Sequence, residues 1–194
     1  GVEDLAVMRV LPGMTVLAPG DPMEARLATR AALLNPGPCY LRLGKAGEIA
    51  VHNAQPDFEI GRCIQLRDGT DATIISTGGV LPLAVAAAQA LEKQGVRVRL
   101  LSMPCIEPLD VQAVERAARE TQLIVTVEEH GPGGLSSAVA EVLACLGTGT
   151  RLVPVRLQRG ALHVAGDQTQ LRAAQGVSAD GIAASVTGNL AVFV

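Results

Sequence analysis

The chain has 194 residues, a mass of 20.0 kDa, a net charge of −3 and a pI of about 5.6. Hydrophobic residues make up 48% of it, aromatics only 2%, and Trp is absent, so the core must be built from Val, Leu, Ile and Ala, which suits an α/β protein with tightly packed helices. No basic block is present, and phosphate neutralisation needs clustered Lys or Arg while base stacking needs aromatics, so composition weighs against nucleic-acid binding.

Gly1 to Val10 reads as a loop entering one or two helical turns, which Pro12-Gly13 breaks. Met14 to Ala18 is a short strand. Asp21-Pro22 then opens a helix to about Leu34, with Asp21 as cap and Pro22 in the first helical position. Asn35-Pro36-Gly37 ends it, and Cys39 to Leu43 is the next strand. Two parallel strands do not make a stable sheet by themselves, so this β-α-β unit is expected to be the tail of a larger domain. Gly44 to Gly61 is polar and aperiodic, and it reads as a linker. Cys63 to Leu66 is an edge strand that ends at the Asp68-Gly69 turn signal.

Beyond this point β and α patterns alternate. Ala72 to Ser76 is a strand and Leu81 to Gln94 a helix. Val96 to Leu101 is a strand, and Pro108-Leu109-Asp110 starts a helix to about Glu120. That helix should face inward with Val111, Val114 and Ala118, and Glu115 and Arg119 form an i,i+4 pair on the wet side. Leu152 to Leu157 is a strand, and Leu171 to Ala174 and Ala179 to Leu190 are helical. Strands separated by helices of about a dozen residues imply a three-layer α/β fold, a mainly parallel sheet with helices on both faces. Ala72 to Leu91 carries no charge, but Ser76, Thr77, Gly78, Gly79 and Pro82 divide it into a strand and a helix, so it is not a membrane span. The helix Leu83 to Leu91 is almost pure Ala, Val and Leu. Such a helix is covered on more than one side, from which a subunit interface is inferred, with close packing within one domain as the alternative.

The stretch Leu123 to Cys145 is the centre of this pattern. Leu123 to Val127 is a buried strand. Glu128, Glu129 and His130 follow, then Gly131-Pro132-Gly133-Gly134. Ser136 and Ser137 are placed to cap a helix whose Val139, Val142, Leu143 and Leu146 repeat at helical spacing. Two readings stand for the Glu-Glu-His run. The groups face a cleft past the strand's carboxyl end, or they bond the Gly-rich loop while one carboxylate complements the helix dipole. Paired carboxylates beside a His do not define a reaction, which favours the second. Cys39, Cys63, Cys105 and Cys145 have no CxxC spacing, so buried thiols in a reducing cytoplasm are expected. His52, His130 and His163 show no ligand spacing, and no signal peptide is visible.

GVEDLAVMR, MTVLAPGDPMEARLATRAAL and GPCYLRLGK resemble the end of the pyrimidine-binding domain of the transketolase family. DATIISTGG, LLSMPCIEPLD and IVTVEEHGPGGLSSAVAEVL resemble that family's carboxyl-terminal domain. The blocks stand in family order over nearly the whole chain and are most similar to the carboxyl-terminal subunit of split transketolases. The resemblance implies three segments: residues 1–45 as an incomplete pyrimidine-binding tail, 46–61 as linker, and 62–194 as the carboxyl-terminal domain. The fold implied is a transketolase C-terminal-domain-like sheet preceded by a partial β-α-β unit of a second α/β domain.

It further implies a cytoplasmic transferase that moves a two-carbon ketol unit between sugar phosphates with thiamine diphosphate and Mg²⁺. The cofactor is bound by an amino-terminal subunit or domain, and the chain pairs as a homodimer through its carboxyl-terminal domain. The family's activating glutamate, stacking aromatic and substrate-binding histidine fall upstream of Gly1, and no diphosphate motif of the GDG type occurs, so no catalytic, cofactor-binding or metal residue is assigned here. Arg42 matches a position near a basic residue that binds substrate phosphate, and Lys45 is a second candidate; a strand-end salt bridge is the plainer role for Arg42. Glu3 and Asp4 match the family block, and capping or loop hydrogen bonds explain them equally well. The alternatives are another thiamine diphosphate enzyme, of the 1-deoxyxylulose-5-phosphate synthase or 2-oxo-acid dehydrogenase beta type, and a non-catalytic assembly module.

Overall fold

A computed structural model describes residues 2–45, 47–158 and 165–190; His163 lies outside them. The first segment holds α1 (Asp4–Arg9), β1 (Thr15–Leu17), α2 (Pro22–Leu34) and β2 (Cys39–Leu41). After it come β3 (Ile64–Arg67), β4 (Ala72–Ser76), a 3₁₀ turn at Gly78–Val80 and α3 (Leu81–Lys93). Next are β5 (Val98–Ser102), β6 (Cys105–Glu107), α4 (Val111–Glu120), β7 (Leu123–Val127) and α5 (Leu135–Leu146). The last described elements are β8 (Arg151–Val155), α6 (Gln168–Ala174) and α7 (Ala179–Leu190).

The larger sheet has the order β3-β5-β4-β7-β8. Its inner strands are parallel and only the edge strand β3 is antiparallel. Every residue of β4 and β7 is buried, as expected for strands with helices on both sides. Alternate residues face opposite layers. Ile74 and Val125 pack with Ala84, Ala87 and Leu91 of α3 and Ile182 and Val186 of α7. Ile75 and Ile124 pack with Val114 of α4 and Leu135 and Val139 of α5. The three-layer expectation is met.

The Ala-rich helix finds its cover inside the chain. Ala84, Ala87, Ala88 and Leu91 of α3 are fully enclosed and share one core with α7, so close packing within the domain accounts for its composition. Two further expectations need correction. Val111 is 43% exposed, because it starts α4 and projects beyond the sheet, while Val114, Ala117 and Ala118 carry the inward face. Among the four free cysteines only Cys105 is buried; Cys39 and Cys63 are half-buried and Cys145, at the outer end of α5, is exposed. Burial pushes the Cys63 and Cys105 thiols up to about 12.

The smaller sheet has the order β2-β1-β6. β1 and β2 are parallel with Val16 opposite Tyr40, and β6 joins antiparallel with Leu17 opposite Cys105. Sequence patterning had no strand at Cys105–Glu107, yet it supplies the third strand that two parallel strands need. The sheets are stitched together where their strands end: Ala18 N–H donates to Pro104 O at 2.8 Å and Gly78 N–H to Ala18 O at 2.9 Å.

Residues 47–61 form no helix or strand and lie along α2. Phe58 and Ile60 pack on the cluster of Leu17, Ala28 and Cys105. Asp21 caps α2 through Glu24 N–H at 2.8 Å, and its other oxygen accepts Val51 N–H at 2.9 Å and His52 N–H at 3.0 Å. None of the described helices is long and apolar enough to cross a membrane.

Candidate functional site

The Glu-Glu-His run divides its labour. Glu128 is fully buried, and its carboxylate accepts Leu135 N–H at 2.7 Å and Ser136 N–H at 2.8 Å. These are orphan donors of the first turn of α5, at the positive end of its dipole. The cap expected from Ser136 or Ser137 is therefore supplied by Glu128; Ser137 instead accepts Gly133 N–H at 2.9 Å. The close approach requires glycine at 134, where a Cβ would overlap Glu128 Oε2.

His130 is also fully buried. Its Nε2 accepts Leu5 N–H at 3.1 Å and Ala6 N–H at 3.4 Å, and its Nδ1 lies 2.8 Å from Gly131 O. Two donors aimed at Nε2 require a lone pair there, which puts the proton on Nδ1, pointing at the carbonyl. His130 thus caps α1 as Glu128 caps α5. Arg9 Nη1–H donates to Gly133 O at 2.9 Å and closes the same contact. These two residues have the architectural role of the second reading.

Glu129 differs. Its carboxylate is paired with Arg172 of α6 and accepts Gln168 Nε2–H at 3.0 Å on both oxygens. Its backbone carbonyl accepts Arg42 Nη1–H at 3.1 Å. Arg42, just past β2, also bonds Asp4 Oδ2 through Nε at 3.1 Å, and Tyr40 donates its hydroxyl to the same oxygen at 2.7 Å. That bond to Asp4 raises the Tyr40 hydroxyl above its ordinary value. Asp4 therefore bonds side chains and does not cap α1, whereas Glu3 accepts Val2 N–H at 3.2 Å.

Arg42 and Lys45 come together at one cavity of about 140 Å³, which is also lined by Glu48, Glu129, Gly79 and Arg172. It sits past the carboxyl ends of β2, β4 and β7, where α/β sheets present groups to ligands, and has room for several waters or an anion the size of phosphate. Arg42 thus makes its strand-end salt bridge and faces the cavity as well. Glu48 lies against Gly44 and Gly79, where a side chain would collide with its carboxylate. Burial pushes the Glu48 carboxyl up, opposed by Arg172 and reinforced by Glu129. A larger cavity of about 430 Å³, past β8, is lined by Pro132, Arg156, Gln158, Gln175 and Ser185 and gathers none of the charged residues or histidines singled out by sequence. Sequence reasoning missed Glu48, Gln168 and Arg172, because residues 42, 129 and 172 share no local spacing.

Asp21, Glu24 and His52 also cluster, although the histidine spacing gave no hint of it. Glu24 is fully buried, accepting Gly20 N–H at 2.6 Å and pairing with His52 Nε2 at 2.9 Å. The hydrogen bond to Glu24 pushes the His52 pKa up. Burial works against the Asp21 carboxylate, but N–H bonds from Glu24, His52 and Val51 hold its carboxyl below the usual range.

The fold and this strand-end site define an α/β protein with a five-stranded, mainly parallel sheet and a smaller three-stranded one. The transketolase C-terminal domain family matches residues 61–182, and the transketolase pyrimidine binding domain family matches residues 1–47. The chain belongs to the transketolase family, whose cofactor is thiamine diphosphate. It is 36% identical over 187 residues to one of the apulose-4-phosphate transketolase subunits of Phocaeicola vulgatus, a match covering 93% of this chain and 58% of that protein. It is 38% identical over 159 residues to the 6-deoxy-6-sulfo-D-fructose transketolase subunit SqwH of a Clostridium species, covering 81% of this chain and 48% of that one. A solved structure of a split gene transketolase, an inactive beta4 tetramer, superposes with a TM-score of 0.92 at 36% identity, over 98% of this chain and 62% of that one. The chain spans about half the length of the curated relatives it matches.

Among the described residues, the one cluster with metal-ligand chemistry does not fit a hard cation. Its donors are spent on the chain's own backbone and on each other, and a hard cation needs several free oxygens.

Proposed function

We propose that this chain is the carboxyl-terminal portion of a cytoplasmic transketolase-like enzyme that transfers a two-carbon ketol unit between sugar phosphates. Arg42 and Lys45 bind the substrate phosphate. The observation that carries this reading is their meeting at one strand-end cavity in a chain of this family. A guanidinium is suited to phosphate because its N–H groups make parallel bonds to two oxygens. Arg42 is preset for it: Asp4 and the Glu129 carbonyl hold it from two sides. Thiamine diphosphate and Mg²⁺ are held by an amino-terminal partner subunit or domain, and the assembly pairs as a homodimer. Four free cysteines support the reducing location.

The test is reconstitution with an amino-terminal subunit and a coupled assay of ketol transfer over a panel of donors and acceptors. Arg42→Ala should raise KM for phosphorylated sugars roughly 10- to 100-fold, the loss of a charge-assisted bond, and leave unphosphorylated sugars nearly unchanged. Equal effects on both would refute the assignment of Arg42. Transfer of an acyl unit from a 2-oxo acid instead would place the chain with the other thiamine diphosphate enzymes.

A further inference from the structure

We propose that Arg172 is a specificity-determining residue that binds the phosphate of the sugar substrate beside Arg42 and Lys45. The proposal rests on the transketolase reading above and extends the site into the last third of the chain. Arg172 lies on α6, far in sequence from the strand-end block that carries Arg42, yet it lines the same cavity.

Three observations support the assignment. First, Arg172 is held in place. Glu129 takes its Nη2, and Gln168 anchors both Glu129 oxygens from the same helix as Arg172. Glu129 is thereby a positioning residue. Secondly, the guanidinium is not spent. Among the described residues only its Nη2 has an acceptor, Glu129 Oε2, so the fork keeps N–H donors on a residue that lines the cavity. Thirdly, the charges lining the cavity favour an anion. Arg42, Lys45 and Arg172 face two carboxylates, Glu48 and Glu129. The three cations outnumber the two carboxylates of the lining. Two guanidiniums and an ammonium around a small cavity suit a tetrahedral oxyanion carrying more than one negative charge better than a sugar hydroxyl.

The test uses the chain assembled with its amino-terminal partner, with D-ribose 5-phosphate and D-ribose as acceptors. Arg172→Gln should raise KM for the phosphorylated acceptor roughly 10-fold or more, the scale of one charge-assisted bond, with kcat nearly constant and D-ribose unaffected. Arg172→Lys should recover part of the loss, which a purely structural role would not predict. Equal effects on both acceptors, or none, would overturn the proposal. Calorimetric titration of D-ribose 5-phosphate separates it from the reaction assignment. Weaker binding by Arg172→Gln supports the site even if the complex performs no ketol transfer, an outcome that would refute only the transketolase reading. Unchanged affinity, or no binding by the unaltered complex, overturns the site itself.

Discussion

Removing the carboxylate of Glu128 should cost more stability than any surface change near the site. Glu128 is fully buried and accepts two backbone N–H groups, at 2.7 and 2.8 Å. Hydrogen bonds to a charged group contribute about 1.5–3 kcal/mol each. Glu128→Ala leaves both N–H groups unpaired beside a cavity, so a loss of about 3–5 kcal/mol is expected. Glu128→Gln keeps one acceptor oxygen and aims an amide N–H at the other donor, and should lose about 2–3 kcal/mol. Urea denaturation measures both losses, and the slope of free energy against urea should stay constant. Hydrogen exchange adds a local readout: the amides of Leu135 and Ser136 should lose protection first. A loss below about 1 kcal/mol for Glu128→Ala would show that the capping argument is wrong.

The Glu24–His52 pair and the Ala-rich helix offer two further tests. Because its bond to Glu24 raises the His52 pKa, protonation favours the folded chain. The contribution is full below the ordinary histidine pKa and fades as pH rises through the folded value. The stability gap between the chain and His52→Gln should therefore narrow with rising pH, and a gap that widens would refute the pairing. Ala87→Glu places an unpaired charge in the core shared with α7 and should unfold the chain, by about 3–5 kcal/mol, as read by a thermal melt. A folded variant with an altered elution volume would return α3 to a subunit interface.

His130 illustrates why a motif and its role are read at different levels. A histidine after two glutamates, at the end of a buried strand, looks the same in sequence whether it meets a ligand or a helix. What decides is the arrival of Leu5 N–H from 125 residues away. Glu129 sits between two architectural residues and turns the other way, because successive side chains leaving a strand point to opposite sides. Its neighbours cap helices while it meets Arg172 and, through its carbonyl, Arg42. The same run thus serves the fold and the cavity at once.

The alternation of strands and helices was legible because each signal is local. The caps Asp21 and Asp110 bond N–H groups three residues ahead, and the apolar runs of β4 and β7 are complete within five residues. The family blocks were legible too, since they are contiguous. Tertiary structure alone decided that β6 completes the small sheet, that α7 covers α3, and that Arg42, Glu129 and Arg172 meet at one cavity. Local propensity and hydrophobic period fix which element forms, but the partner of a side chain 43 or 87 residues away depends on strand order and register, which no short window of sequence contains.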